Sequence, residues 1–335
     1  MLRTYKSITH RIFTLHQYLE HLVCLVWCNA SNENTCQELI DPAFEPAYLA
    51  YDWVKDGVDD IYEKCKILND KERADIRAAF ATNNRIEELC DGLAPILLST
   101  LPKVVKSDMT PLLIRFYNEL LDRAEISGTG NKLDYYNKLI KKNKFTTCPC
   151  CGLSLIESAE SHYVEDNDHY FNKAEFPFAA VNFLNLIPLC GKCNKKCKGD
   201  KKPSEGGRVS FYPFNGIRPD IKLTVSILDT ATLDYRNIQA EEVELGFDSD
   251  PKKVDTWDWL FKIKERYNEQ ILSLSVTELR LMAKKFRRNK GKTYVDVLNE
   301  AIDDYEDEIY EDRKFLKIAF LKEIKTKPEW MAVYI

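Results

Sequence analysis

The sequence predicts a mostly helical α+β protein with a small cysteine-rich module embedded in it and a few short strands in its C-terminal part. Three observations carry that expectation. Apolar residues recur at helical spacing through much of 1–143 and again from 251 onward. Residues 144–202 break the periodicity with turn residues and crowded cysteines. From Arg208 the apolar runs shorten to strand length. In order, Ile8, Ile12, Phe13, Leu15 and Leu19 form one helical stripe. Val54, Val58, Ile61 and Tyr62 form a second, and Leu112, Ile114, Phe116, Leu120 and Leu121 a third. Pro111 sits where the first turn of a helix tolerates proline. Residues 127–131 read as a loop, and a short helix over 132–142 leads into the cysteines. Val209, Phe211 and Phe214, then Leu223, Val225 and Ile227, read as short strands around Gly216 and Pro219. Trp257, Leu260, Ile263, Tyr267 and Ile271 restore a helical period over 251–284, and 293–325 is a further helical region. Three regions result: a helical N-terminal part (1–143), the cysteine-rich module (144–202) and a C-terminal extension of strands then helices (203–335).

A formal net charge of −5 over 335 residues excludes a wholly basic nucleic-acid coat, so any such contact must come from local patches. The apolar run 22–28 is far short of the roughly 20 residues that span a bilayer. Lys6, His10, Arg11, His16, Glu20 and His21 break the apolar core that a secretory signal needs. The expectation is a cytoplasmic protein without a membrane segment. Of eleven cysteines, Cys24, Cys28, Cys36, Cys65 and Cys90 are scattered and read as small buried hydrophobes. The other six crowd into 148–197, which in a cytosolic chain points to metal rather than to disulfides.

Cys148, Cys151, Cys190 and Cys193 form two Cys-x-x-Cys units. Two residues between thiolates let both sulfurs reach one ion at about 2.3 Å, and two such units close a tetrahedral zinc site. Gly152 and Gly191 give the tight turns a permissive backbone. Cys150 and Cys197 are left outside this set. A segment so small and polar needs a metal staple to fold.

Between the two units run Asp168-His169-Tyr170-Phe171-Asn172-Lys173, Phe176-Pro177, Ala180-Val181-Asn182 and Asn185-Leu186-Ile187-Pro188-Leu189-Cys190, closing with Cys193-Asn194 and Lys198-Gly199-Asp200. Over roughly 55 residues this order resembles the HNH endonuclease family. The resemblance implies a ββα-metal unit, a hairpin carrying Asp-His followed by a helix carrying the last ligand. It implies that Asp168 is a metal ligand, His169 the general base, and Asn185 the residue that ties the loop to the hairpin. Asn194 stands where the family often has its last His, an HNN variant whose amide oxygen suits a hard cation. Hydrolysis to 5′-phosphate and 3′-hydroxyl ends follows from the same resemblance.

The chemistry is coherent without the family name. A neutral imidazole can take a proton from water near neutral pH. A carboxylate and an amide oxygen can hold one divalent ion, Mg²⁺ or Mn²⁺, as Lewis acid and template. Neighbours on a strand point to opposite faces, so Asp168 and His169 share a site only if the strand bends or ends there. Lys192, Lys195, Lys196 and Lys198 lie beside the last ligand and read as phosphate-facing, with DNA favoured over RNA. The function expected is an endonuclease acting on DNA, as an antiphage-defence effector with a regulatory protein partner such as an ATPase. The alternative is a non-catalytic, zinc-containing adaptor that binds nucleic acid or protein.

Overall fold

The computed structural model describes residues 1–123, 130–216, 221–228, 238–327 and 329–330. The loop expected at 127–131 and the turn expected at Pro219 lie partly or wholly outside that set. Among the described residues the chain is mostly helical with two small antiparallel sheets, as an α+β protein should be. It forms two compact units. The larger comprises Thr4–Phe145 and Glu157–Ile217, and the smaller comprises Met1–Arg3, Thr146–Ile156 and Arg218–Ile335.

In the larger unit, helix Asp52–Cys65 buries Val54, Val58, Ile61, Tyr62 and Cys65, the single stripe that its spacing demands. Helix Asp70–Asn83 starts at a reciprocal capping box between Asn69 and Glu72. Helix Phe13–His21 buries Leu15 and Leu19 and runs on into a π-turn, Leu22–Val26, whose Leu22, Val23 and Val26 are also buried. Pro111 lies in the first turn of helix Thr110–Asn118. Helix Lys132–Asn143 is capped by the Asn131 side chain and stops at Lys144, which turns left-handed with φ 54°. Against these helices sits a two-stranded sheet, β1 (Asn167–His169) antiparallel to β2 (Leu186–Pro188), with Asp168 opposite Ile187. The Tyr5 hydroxyl donates to the Pro188 carbonyl at 3.0 Å, and its ring packs on Phe145 and Phe214.

The strand expected at 209–214 does not form. Pro213 has no N–H to give a ladder. The remaining backbone groups are taken elsewhere: Ser210 N donates to Cys90 O, the Tyr170 hydroxyl donates to Phe211 O, and Tyr5 N donates to Pro213 O.

In the smaller unit, β3 (Lys222–Ile227) pairs antiparallel with β4 (Val243–Asp248), setting Leu223 opposite Phe247 and Val225 opposite Leu245. The β3 edge is tied to helix Lys314–Ile324 where Ile227 N donates to Glu323 Oε1 at 2.8 Å. The helical stretch expected from 251 is two helices, Pro251–Phe261 and Ile263–Arg288, because Lys262 adopts φ 53° between them. The last helical region likewise divides into Tyr294–Glu306 and Lys314–Ile324, with Asp312 and Arg313 at positive φ before the second. No helix among the described residues is long and apolar enough to cross a membrane.

Candidate metal centre and active site

The first cysteine pair sits in a turn whose backbone is held on several sides. Cys148 N donates to Ser154 O at 2.8 Å, and Gly152 N donates to Cys148 O at 2.7 Å. The Trp257 indole donates to Cys150 O at 3.0 Å and the Tyr267 hydroxyl to Cys151 O at 2.9 Å. Leu2 N and Arg3 N donate to Cys150 O and Pro149 O. Gly152 has φ 66°, and the place of a Cβ there is already filled by Leu2 and Phe315. Leu153 N points at the Cys151 sulfur, 3.5 Å away. The second pair opens a seven-residue π-turn, Lys192–Lys198, where Asn194 N donates to Cys190 O and Gly199 N to Asn194 O.

The sulfurs of Cys148, Cys151, Cys190 and Cys193 all lie within 4.8 Å of one another, and all four residues are buried. Thiolates about 2.3 Å from a tetrahedral zinc stand about 3.8 Å apart, so this group fits a metal such as zinc. Cys150 and Cys197 are buried but are not in the group. Of the scattered cysteines, Cys28, Cys36, Cys65 and Cys90 are buried and Cys24 is half-buried.

The second site is an open cavity of about 510 Å³ in the larger unit, with Asp168, His169, Asn194, Lys173 and Lys198 in its wall. His169 is the last residue of β1, which lets it share the cavity with Asp168 although the two are neighbours. Its Nε2 is 2.9 Å from the Ala180 carbonyl oxygen, and its ring meets the edge of Tyr117 at 4.4 Å. A carbonyl only accepts, so Nε2 carries the hydrogen and the lone pair is on Nδ1. Nδ1 has no hydrogen bond to a described residue. Burial lowers the His169 pKa to about 3 against the opposing bond to Ala180, with help from the ammonium groups of Lys173, Lys198 and Lys132. The ring is therefore neutral at ordinary pH.

Asp168 is buried. Its Oδ1 receives the Lys198 ammonium at 3.0 Å, while Oδ2 has no partner among the described residues. Burial pushes its carboxyl above the ordinary value, and the Lys198 charge pulls the other way. An unsatisfied buried carboxylate oxygen sharing a cavity with an amide side chain suits one hard cation. Asn185 is fully buried. Its Oδ1 accepts from Phe171 N at 2.8 Å, and its Nδ2 donates to Phe171 O at 2.9 Å and Ala179 O at 3.3 Å. Asn185 thus fastens the chain just past β1 to the loop before β2. Asn182 holds the same loop from the other side, donating to Asn84 Oδ1 at 3.1 Å.

The four lysines read as phosphate-facing divide. Lys192, Lys195 and Lys196 are exposed, with Lys195 paired to Asp166 at 2.5 Å. Lys198 departs from the expectation. It is 2% exposed, and its ammonium turns inward to Asp168 and the His169 carbonyl. A buried carboxylate beside it outcompetes water for the charge. Sequence reasoning missed Tyr117, Trp257 and Tyr267, because each lies on a helix whose aromatic residues read simply as core.

One relative, Septu protein PtuB from Bacillus thuringiensis, is similar to this chain, 29% identical over 136 residues, or 37% of this chain and 49% of the relative. The similarity spans about half the length of that curated relative. No family model matches the sequence. No solved structure matches it.

Proposed function

We propose that this chain is a metal-dependent endonuclease of HNH type that hydrolyses phosphodiester bonds of DNA. The observation that carries the reading is the placement of His169: oriented through Nε2, with Nδ1 unpartnered among the described residues, in the wall of the cavity it shares with Asp168 and Asn194. In that reading His169 Nδ1 takes the proton of the attacking water. Asp168 Oδ2 and the Asn194 amide oxygen hold one Mg²⁺ or Mn²⁺. When bound, that ion supplies Lewis-acid stabilisation of the phosphoryl and leaving oxygens. Asn185 keeps the end of β1 in place, and exposed Lys192, Lys195 and Lys196 meet the nucleic-acid backbone. The Cys148, Cys151, Cys190 and Cys193 group holds zinc as a structural staple. The modular boundaries at 143/144 and 202/203 belong to the same reading.

The setting we propose is cytoplasmic antiphage defence, with a protein partner such as an ATPase controlling the cut. The likeness to Septu protein PtuB supports it.

A second reading draws on the Lys198–Asp168 pair, which already occupies one carboxylate oxygen. Under it the chain is a zinc-containing adaptor that binds nucleic acid or protein without cutting. Nicking of supercoiled plasmid by wild type and His169→Ala, with Mg²⁺ or Mn²⁺, separates the two. Removal of a general base costs about 10²- to 10⁴-fold in rate. Equal nicking by both proteins, or none by wild type with any partner present, favours the adaptor.

A further inference from the structure

Two more lysines sit on Tyr117, the ring that packs against His169. Tyr117, whose ring edge packs on His169, carries Lys173 Nζ at 4.6 Å and Lys132 Nζ at 4.9 Å from its own ring centroid. Lys132 comes from the first residue of helix Lys132–Asn143, and Lys173 from the loop after β1. Lys132 is paired with Asp122 at 2.9 Å, whose side chain is itself half open to solvent. Lys173 is different. It is half-buried, it lines the cavity, and its ammonium donates to a neutral oxygen, Asn118 Oδ1, at 2.7 Å. Among the described residues it has no carboxylate partner. Burial and the Lys132 charge both press its pKa down.

A half-buried ammonium with no counter-charge among the described residues, held near a second one, is costly unless an anion completes it. The nearby carboxylates do not supply that charge. Asp168 is engaged by Lys198, Asp166 by Lys195, and Glu175 by Lys202. The aromatic face fixes both ammonium groups in position, which lowers the entropy lost when they grip a ligand.

We propose that Lys173 and Lys132, seated on Tyr117, form an anion clamp that binds a backbone phosphate of the nucleic-acid substrate next to His169. The clamp rests on the nuclease reading for its purpose, since it sets the phosphate beside the general base. Its existence as a phosphate site does not require cleavage. The site is distinct from the exposed lysines of the π-turn, and its charge is independent of any divalent ion.

The test uses the full chain with its zinc retained and no added divalent ion. Binding of a fluorescein-labelled 20-base-pair DNA duplex is followed by anisotropy across a salt series for wild type, Lys173→Met, Lys173→Arg and Lys132→Met. Lys173→Met should weaken binding about three- to tenfold at low salt and reduce the slope of log K against log salt by about one. Lys173→Arg should restore most of both. Lys132→Met should weaken binding in the same direction. A purely structural lysine would lower the melting temperature instead. Lys173→Met should melt close to wild type, because relief of the like-charge contact with Lys132 offsets the loss of the exposed Asn118 bond and the Tyr117 contact. An unchanged affinity and slope in Lys173→Met, or no binding by wild type, overturns the clamp. Loss of binding in Lys173→Met beside a wild type that never nicks plasmid upholds the clamp and overturns the nuclease reading.

Discussion

Asn185→Ala is the sharpest test of how the candidate site is held, because its cost can be worked from three hydrogen bonds. Asn185 is 0% exposed, and its amide satisfies both backbone groups of Phe171 and part of Ala179. Ala179 O keeps a second donor, Asn182 N at 3.3 Å, so truncation leaves it partnered. Phe171 N and O have no other partner among the described residues and would be stranded. Two stranded buried groups at about 1–3 kcal/mol each give a loss of about 2–6 kcal/mol. A central value near 4 kcal/mol corresponds to roughly 8–16 °C in melting temperature for a unit of this size. Asn185→Asp should be no milder. It keeps the acceptor for Phe171 N but turns a carboxylate oxygen toward two carbonyl oxygens. Thermal and urea denaturation read the stability, and hydrogen exchange at the Phe171 amide reads the local bond. An alanine variant that melts with the wild type and keeps that amide protected would refute the reasoning.

Three other outcomes are expected. Gly152→Ala should cost about 2–4 kcal/mol, from a left-handed residue at φ 66° and a Cβ set 2.5 Å from Leu2 Cδ2 and 2.9 Å from Phe315 Cε1. A urea midpoint equal to wild type would contradict it. His16 is stacked on Phe80 with Nδ1 unpartnered among the described residues, and burial lowers its pKa to about 4. The unfolded chain takes up a proton below about pH 6.5 while the folded one does not. Stability is therefore full above pH 6.5 and falls by up to ~3 kcal/mol as pH drops toward 4. His16→Phe should flatten that slope, and an identical pH profile for variant and wild type would count against the assignment. Purified protein should carry one equivalent of zinc, and Cys193→Ser should lose both the metal and cooperative unfolding. Full zinc content in the variant, by colorimetric release, would dissociate Cys193 from the metal.

Much of the fold was legible where one physical cause dominated. The stripe of Val54, Val58, Ile61 and Tyr62 needs only helical periodicity and a core to bury it, and all four are buried on one helix. The four cysteines were legible because two-residue spacing is what a shared metal would demand, and their sulfurs do come together. The failures come from tertiary context. Val209, Phe211 and Phe214 have strand-like side chains, but the backbone of this segment is bonded at Ser210 to Cys90, at Phe211 to the Tyr170 hydroxyl and at Pro213 to Tyr5, all distant in sequence. The break at Lys262 carries no glycine or proline to announce it. Strand β4 alternates Val243, Leu245 and Phe247 with polar residues or glycine, a pattern legible in hindsight beside β3. Around the cavity, sequence order brought Asp168, His169 and Asn194 into view but not Tyr117, which packs on His169, or Lys132, which sits on Tyr117, both from helices outside the cysteine module.

Lys198 shows why a run of like charges cannot be read as a single surface. The π-turn Lys192–Lys198 sends Cys193 to the sulfur group and keeps Lys192, Lys195 and Lys196 in solvent. It buries Lys198 against Asp168. A buried ion pair repays its desolvation only when the remaining hydrogen-bonding capacity of both partners is met. Here the ammonium is also bonded to the His169 carbonyl, at 2.9 Å, yet Asp168 Oδ2 has no partner among the described residues. A pair kept for stability alone would gain by satisfying both oxygens. One oxygen left unsatisfied, in a residue that lines a cavity with an amide and an unpaired imidazole nitrogen, is the arrangement expected where a second cation completes the carboxylate. On the nuclease reading proposed above, Lys198 would fix the carboxylate from one side and leave its other oxygen for the ion, so that this lysine would serve the site from within rather than face the substrate.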